Sequence, residues 1–243
     1  GMWLSPEEVK KEGNKIINLK NKNSKVIIGP SEAMSKSKKN VIDPESMIKI
    51  YGADAIRWFI LSDSPPEKDV QWSNQGVNAS NKFLQKIWNL KEIILSRREN
   101  KISSDEEEKL DFEFNNYILK FENLIENFHL NVAVANIYEM YRVLASYQNK
   151  EVSNKKLKDH LTNFMKILLP FIPHLASECL EKMKIEDFSE WPNIDKKFST
   201  KKTVKVALQI NGKTKDIEEM DSNLSEKAAI ELGQKNSKIS KNI

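Results

Sequence analysis

Between residues 73 and 183, apolar residues recur every three to four positions in stretch after stretch, and this periodicity points to a bundle of amphipathic helices. Val77, Phe83, Leu84, Ile87, Trp88, Ile94 and Leu95 form the first stripe, which follows the capping residue Ser73 and runs to about Arg98. Similar stripes predict helices over 105–127, 132–148, 155–169 and 171–183, with polar connectors between them. Asn131 is a candidate cap for the helix starting at Val132, while Pro170 and Pro173 stand where one helix should stop and the next begin. Helices joined by short connectors pack antiparallel, so an antiparallel bundle is expected.

The two flanks carry different patterns. Two β-prone runs, Lys15–Leu19 and Lys25–Ile28, enclose a polar stretch and predict a β-hairpin that Gly29 and Pro30 terminate. From Ser31 to Lys39 there is no hydrophobic period, which predicts an exposed loop. Asp43 can cap a helix with Pro44 at its first position and Gly52 at its end. The next stretch, Ala53–Leu61, is apolar almost all round, through Ile56, Trp58, Phe59, Ile60 and Leu61, and should be largely buried. Beyond Trp191 and Pro192, an alternating run Val204–Ile210, the turn pair Asn211 and Gly212, and a second run Lys213–Ile217 predict another hairpin, followed by a helix over 224–232. No further strand is evident after it, so this last unit is expected to be a truncated small α/β domain. The fold class is therefore mainly α: a bundle at 73–195, preceded by a β-hairpin at 1–30 and a lysine loop with connecting helices at 31–72, and followed by the small unit at 203–243.

Composition narrows the function classes. The net charge is +4, and only four of the 39 basic residues are arginines, namely Arg57, Arg97, Arg98 and Arg142. Phosphate contacts must then be mostly lysine point charges, which position a nucleic acid rather than read its bases. Cys179 is the single cysteine, excluding an internal disulfide and a multi-cysteine zinc site. No apolar run reaches the roughly 20 residues needed to span a bilayer, so no membrane partner and a cytoplasmic location are expected.

The stretch with most chemical content is Ala33-Met34-Ser35-Lys36-Ser37-Lys38-Lys39-Asn40. It resembles the Lys-Met-Ser-Lys-Ser loop of class I aminoacyl-tRNA synthetases, and Val41, Ile42, Asp43 and Pro44, then Tyr51, Gly52, Ala53, Asp54 and Arg57, continue the likeness in order. Within that class, Ser64-Pro65-Pro66-Glu67-Lys68-Asp69 followed by Trp72, Ser73, Gly76 and Val77 resembles the leucyl branch. Pro170–Glu181 is similar to the last helices of the anticodon-binding bundle of these enzymes. Val206–Gly212 resembles the opening hairpin of their small C-terminal tRNA-binding domain.

The resemblance implies ATP-dependent attachment of leucine to its tRNA by the full-length enzyme, with ATP as a substrate accompanied by Mg2+. It implies a monomer whose partners are tRNA, ATP, leucine and an N-terminal catalytic half carrying a His-Ile-Gly-His signature that this sequence lacks. ATP binding falls to Met34, Ser35, Lys36 and Ser37. Lys36 is the catalytic candidate, because a positioned ammonium stabilises charge developing on the transferring phosphate and the leaving pyrophosphate. Ala33 stands where the family loop has its first lysine, and Lys38 and Lys39 are the neighbours able to substitute in part. Candidate tRNA contacts are Lys38, Lys39, Lys82, Lys86, Lys91, Arg97, Arg98 and Lys213. No residue is assigned to a metal, and His129 and His174 are read as packing residues. Alternative readings are a stand-alone tRNA-binding module, a fragment of a valyl, isoleucyl or methionyl enzyme, and a helical interaction protein with no tRNA affinity.

Overall fold

The computed structural model describes residues 2–13, 15–99, 101–192, 203–210, 213–221 and 224–236. Ser73 accepts a hydrogen bond from the Gly76 amide and opens the first long helix of the bundle, as its residue type and position predict. In chain order the helices are α1 (Pro44–Tyr51), α2 (Ala53–Asp63), α3 (Asn74–Ser96), α4 (Ser104–Glu126), α5 (Leu130–Tyr147), α6 (Asn154–Leu168), α7 (Pro173–Lys182) and α8 (Glu226–Lys235). None of them is long and apolar enough to cross a membrane.

Hydrogen bonds at one end of the bundle set the helix directions. Arg97, just past the end of α3, bonds the Gln148 carbonyl at the end of α5 and the Asn154 side chain at the start of α6. Ser103 and Glu107, at the start of α4, bond the Glu151 carbonyl and the Ser153 hydroxyl at the same end. Helices α3 and α5 therefore run one way, and α4 and α6 the other. Their apolar stripes meet in one core that includes Ile87, Ile94, Phe114, Ile118, Ile137, Leu144, Leu161 and Phe164, all with no exposed surface. Helix α2 joins this core through Trp58, whose ring lies 5.2 Å from Phe83 and 5.6 Å from Tyr138 and whose indole N–H donates to the Tyr138 hydroxyl. The all-round apolar pattern of α2 overstates its burial: Ile60 keeps 44% of its surface exposed, on the side facing away from the bundle.

Two local expectations are corrected. Strand β2 (Lys15–Asn18) forms, but it pairs antiparallel with β1 (Val9–Glu12) across Gly13, which takes φ +61. The run Lys25–Ile28 contributes only one bridge, Ile17 with Lys25. Its polar approach is instead folded onto Asn18, whose side-chain oxygen accepts from the Lys20 and Asn21 amides. Helix α5 begins at Leu130, so Asn131 lies inside it rather than capping it. The chain reverses at Phe128, held at φ +60 while the amides of Phe128 and His129 return to the Ile125 and Leu124 carbonyls. This pattern closes α4 and starts the next helix early.

The last unit pairs β3 (Thr203–Ile210) with β4 (Lys213–Asp221), antiparallel, with a register shift between Leu208 and Gln209. Leu208 and Met220 pack with Val206, Leu224 and Ala229, so α8 covers one face of the hairpin. The predicted turn pair Asn211 and Gly212 lies outside the described residues.

Candidate nucleotide loop and nucleic-acid interface

The lysine loop leaves the extended segment at residues 31–35 and turns through a short 3-10 helix, Lys36–Lys38, ending at Lys39 with φ +53. Asn40 closes it. Its side-chain oxygen accepts from the Ser35 amide at 2.7 Å, and its Nδ2 donates to the Ala33 carbonyl at 3.3 Å. The Ser35 and Ser37 hydroxyls lie 2.6 Å apart, and the Gln71 amide ties Ser31 to the segment that enters the bundle. Asp43, with its side chain accepting from the Glu45 and Ser46 amides, then fixes the start of α1, as predicted. The Ser46 hydrogen bonds hold the Asp43 carboxyl below its usual range. A cleft of about 690 Å3 opens beside the loop, lined by residues including Ser31, Met34, Asn40, Ile42, Gln71 and Trp72. Met34 remains half-exposed at its edge.

The three lysines of the loop differ in their surroundings. Lys38 is ion-paired with Glu32 and lies over the Trp3 ring, while Lys39 reaches Glu8 at 3.5 Å. The Lys20 ammonium, with the Ser5 amide and Lys39, pulls the Glu8 carboxyl down to about 2. Lys36 is exposed, and its ammonium has no ion pair or hydrogen bond among the described residues.

The bundle sorts the remaining candidate cations. Lys82, Lys86 and Arg98 are exposed and without side-chain partners among the described residues. Two expectations fail here. Lys91 is fully buried, with its ammonium 3.5 Å from the Trp88 ring centroid and 2.6 Å from the Glu92 carboxylate. It lies four residues after Ile87 and three before Ile94, on the apolar face of α3 and off the face of Lys82 and Lys86, and α7 covers this part of α3, as the Lys182 ammonium 5.6 Å from the same ring shows. Arg97 spends its guanidinium on the carbonyls of Gln148, Lys150 and Val152 and on the Asn154 side chain, at 2.6–2.8 Å. Both side chains are internal fasteners. Lys213 begins β4, and its side chain lies outside the described residues.

Sequence reasoning missed the joint between α2 and the corner that links α6 to α7. Asp54, 6% exposed, accepts from the Leu175 amide at 2.7 Å and from His174 Nδ1 at 2.9 Å. Arg57 donates to the Phe171 carbonyl at 3.0 Å and the Pro170 carbonyl at 2.7 Å. His174 therefore has a carboxylate partner while its ring stays 76% exposed. The signal was present as an acid and a base one helical turn apart at the start of α2, but nothing in the sequence names their partners. Cys179 is buried, and burial pushes its thiol up to about 11, which makes it a packing residue.

Comparison with known proteins bears on the family and the fold. The profile of the anticodon-binding domain of tRNA ligase matches residues 107–230, and that of class I tRNA synthetases (I, L, M and V) matches residues 24–73. A leucine-tRNA ligase of Rickettsia bellii is 39% identical over 92% of the chain. Those of Bartonella henselae and Zymomonas mobilis are 34% and 33% identical over 87% and 89% of it. The chain spans 25–27% of the length of these relatives. A LeuRS of Agrobacterium radiobacter K84, solved in a ternary complex with tRNA and LeuAMS, shares the fold with a TM-score of 0.73 at 24% identity, over 86% of this chain and 28% of that one. With the tRNA-ligase profile covering most of the bundle and the hairpin after it, the chain belongs to the family of tRNA-ligase anticodon-binding domains.

Proposed function

We propose that this chain is the segment of a leucine-tRNA ligase that supplies the ATP-handling lysine loop and a tRNA-binding bundle. The observation that carries the reading is the difference between Lys36 and its neighbours: Lys38 and Lys39 are ion-paired with Glu32 and Glu8, whereas the Lys36 ammonium, in the turn of the loop, has no ion pair among the described residues. An unpaired cation in a loop held by Asn40 is suited to meet the β- and γ-phosphates of ATP and the pyrophosphate that leaves when the leucine carboxylate attacks the α-phosphorus. The Ser35 and Ser37 hydroxyls can hydrogen-bond the same oxygens. Among the described residues no three His, Cys, Asp or Glu side chains come together to hold a metal ion, so Mg2+ is given no ligand and no step in this segment. Lys82, Lys86 and Arg98 supply sequence-independent backbone contacts along the exposed side of the bundle.

In the full-length enzyme, Lys36→Ala is expected to lower leucine-dependent exchange of pyrophosphate into ATP by about 10²–10³-fold, the loss typical of one transition-state donor, with tRNA affinity unchanged. Equal small losses in both measurements would remove the assigned role.

A further inference from the structure

We propose that Asp54 and Arg57 are positioning residues that fix the lysine loop relative to the bundle, so that tRNA seated on the bundle is delivered in register with the reacting phosphate. The inference rests on the tRNA-ligase reading and extends it to residues outside the lysine loop and outside the candidate tRNA contacts named above. The loop runs into α1 through the Asp43 cap, and α1 is joined to α2 by Gly52 alone, at φ +80. A one-residue elbow transmits the orientation of α2 directly to the loop exit. The orientation of α2 is set by the joint at the α6–α7 corner.

The joint is built in an unusual way. Helix α7 begins after Ile172, which has no side chain able to cap it, and Pro173 at its first position has no amide hydrogen. The next two amides, of His174 and Leu175, turn to the Asp54 carboxylate of another helix, at 3.5 Å and 2.7 Å. One turn further along α2, Arg57 takes the carbonyls of Pro170 and Phe171, which follow the end of α6. An anion thus sits at the positive end of α7, and a cation sits where the chain leaves the negative end of α6. With the two charges one turn apart on α2, the pair fixes rotation about the helix axis as well as distance. Ile172 keeps no exposed surface and spends its side chain in the core, so the cap of α7 falls to α2. Placing the cap on α2 ties the loop-bearing segment to the bundle.

The test uses the full-length enzyme and two reactions. Pyrophosphate exchange needs the loop and no tRNA, whereas charging needs tRNA on the bundle to meet the active site. For Asp54→Asn the expected result is exchange within about twofold of wild type, kcat for charging lower by about tenfold or more, and the KM for tRNA little changed, because small misplacements of reacting groups have effects of this size. Asp54→Glu should recover part of the charging rate by restoring the carboxylate. Arg57→Gln, which alters an exposed side chain, should show the same split and decides the matter if Asp54→Asn does not fold. A purely structural role would lower exchange and charging in the same proportion, and that outcome, or unaltered charging in both variants, overturns the inference. A wild-type enzyme with neither reaction would instead remove the ligase reading.

Discussion

Arg97 and Arg98 are neighbours in sequence with opposite surroundings, and replacing each with alanine should produce opposite phenotypes. The Arg97 guanidinium makes four hydrogen bonds of 2.6–2.8 Å, three to carbonyls of the turn after α5 and one to Asn154 at the start of α6, while the Asn154 amide returns to the Arg97 carbonyl at 2.9 Å. Hydrogen bonds involving a charged group are each worth about 1.5–3 kcal/mol. Arg97 is half-buried, so water can take over some of these carbonyls once it is gone. The net loss on Arg97→Ala is therefore expected at about 2–4 kcal/mol, well below the sum of the bonds. For a chain of this size that lowers the thermal midpoint by roughly 5–15 °C. Arg98→Ala should change the stability by no more than about 0.5 kcal/mol. In tRNA binding the order reverses. Measured on folded protein across a salt series, Arg98→Ala should reduce the slope of log affinity against log salt by about one, whereas Arg97→Ala should leave it unaltered. A stable Arg97→Ala variant with a reduced slope would refute the assignment.

Two further substitutions probe the packing and the buried charges. A β-carbon on Gly76 would lie 2.5 and 2.8 Å from two atoms of the Phe59 ring, so Gly76→Ala should cost about 1–3 kcal/mol in urea denaturation, and adding Phe59→Leu should recover part of the loss. Full additivity of the two changes would show that they do not meet. Burial pushes the Asp111 carboxyl up, but hydrogen bonds from His160 and Lys156 outweigh it and hold it below its usual value. A lowered folded-state value contributes stability above the ordinary aspartate range and loses it as pH falls through the folded value. Asp111→Asn should therefore be less stable than wild type at neutral pH, with the gap narrowing as pH falls below about 4. A gap that stays constant from about pH 5 to about pH 3 would show that this carboxylate is not the source.

The parts of the fold that were legible from sequence are those whose determinants are local. The caps at Asp43 and Ser73 lie within three residues of the amides they bind, and the apolar stripes of α3 to α6 repeat within each helix. The first hairpin was misassigned because the β-prone residues 25–28 drew more weight than Gly13, whose left-handed backbone sets the turn. The start of α5 was misplaced for a related reason: Asn131 looks like a cap, whereas the reversal comes from Phe128 in a conformation usually left to glycine. The basic side chains were separable only in part. Lys91 stands four residues after Ile87 and three before Ile94, within the apolar stripe, while Lys82 and Lys86 lie off it, and the packing of α7 over Trp88 completes the burial. The carbonyls that occupy Arg97 lie more than fifty residues away in sequence. Asp54 likewise finds its amides 120 and 121 residues away in sequence.

The way Asn40 closes the lysine loop bears on the alanine at position 33. The loop draws on Ala33 through its main-chain oxygen, which accepts from Asn40, and on Ser35 through its main-chain amide. Main-chain groups are present whatever side chain the position carries, so the shape of the loop does not depend on a lysine there. Relative to the loop it resembles, alanine at this position removes a charge and leaves the form. If the loop meets a nucleotide as proposed, Lys36 is then its principal cation, and a lysine at position 33 would need no change in the main-chain hydrogen bonds that shape the loop.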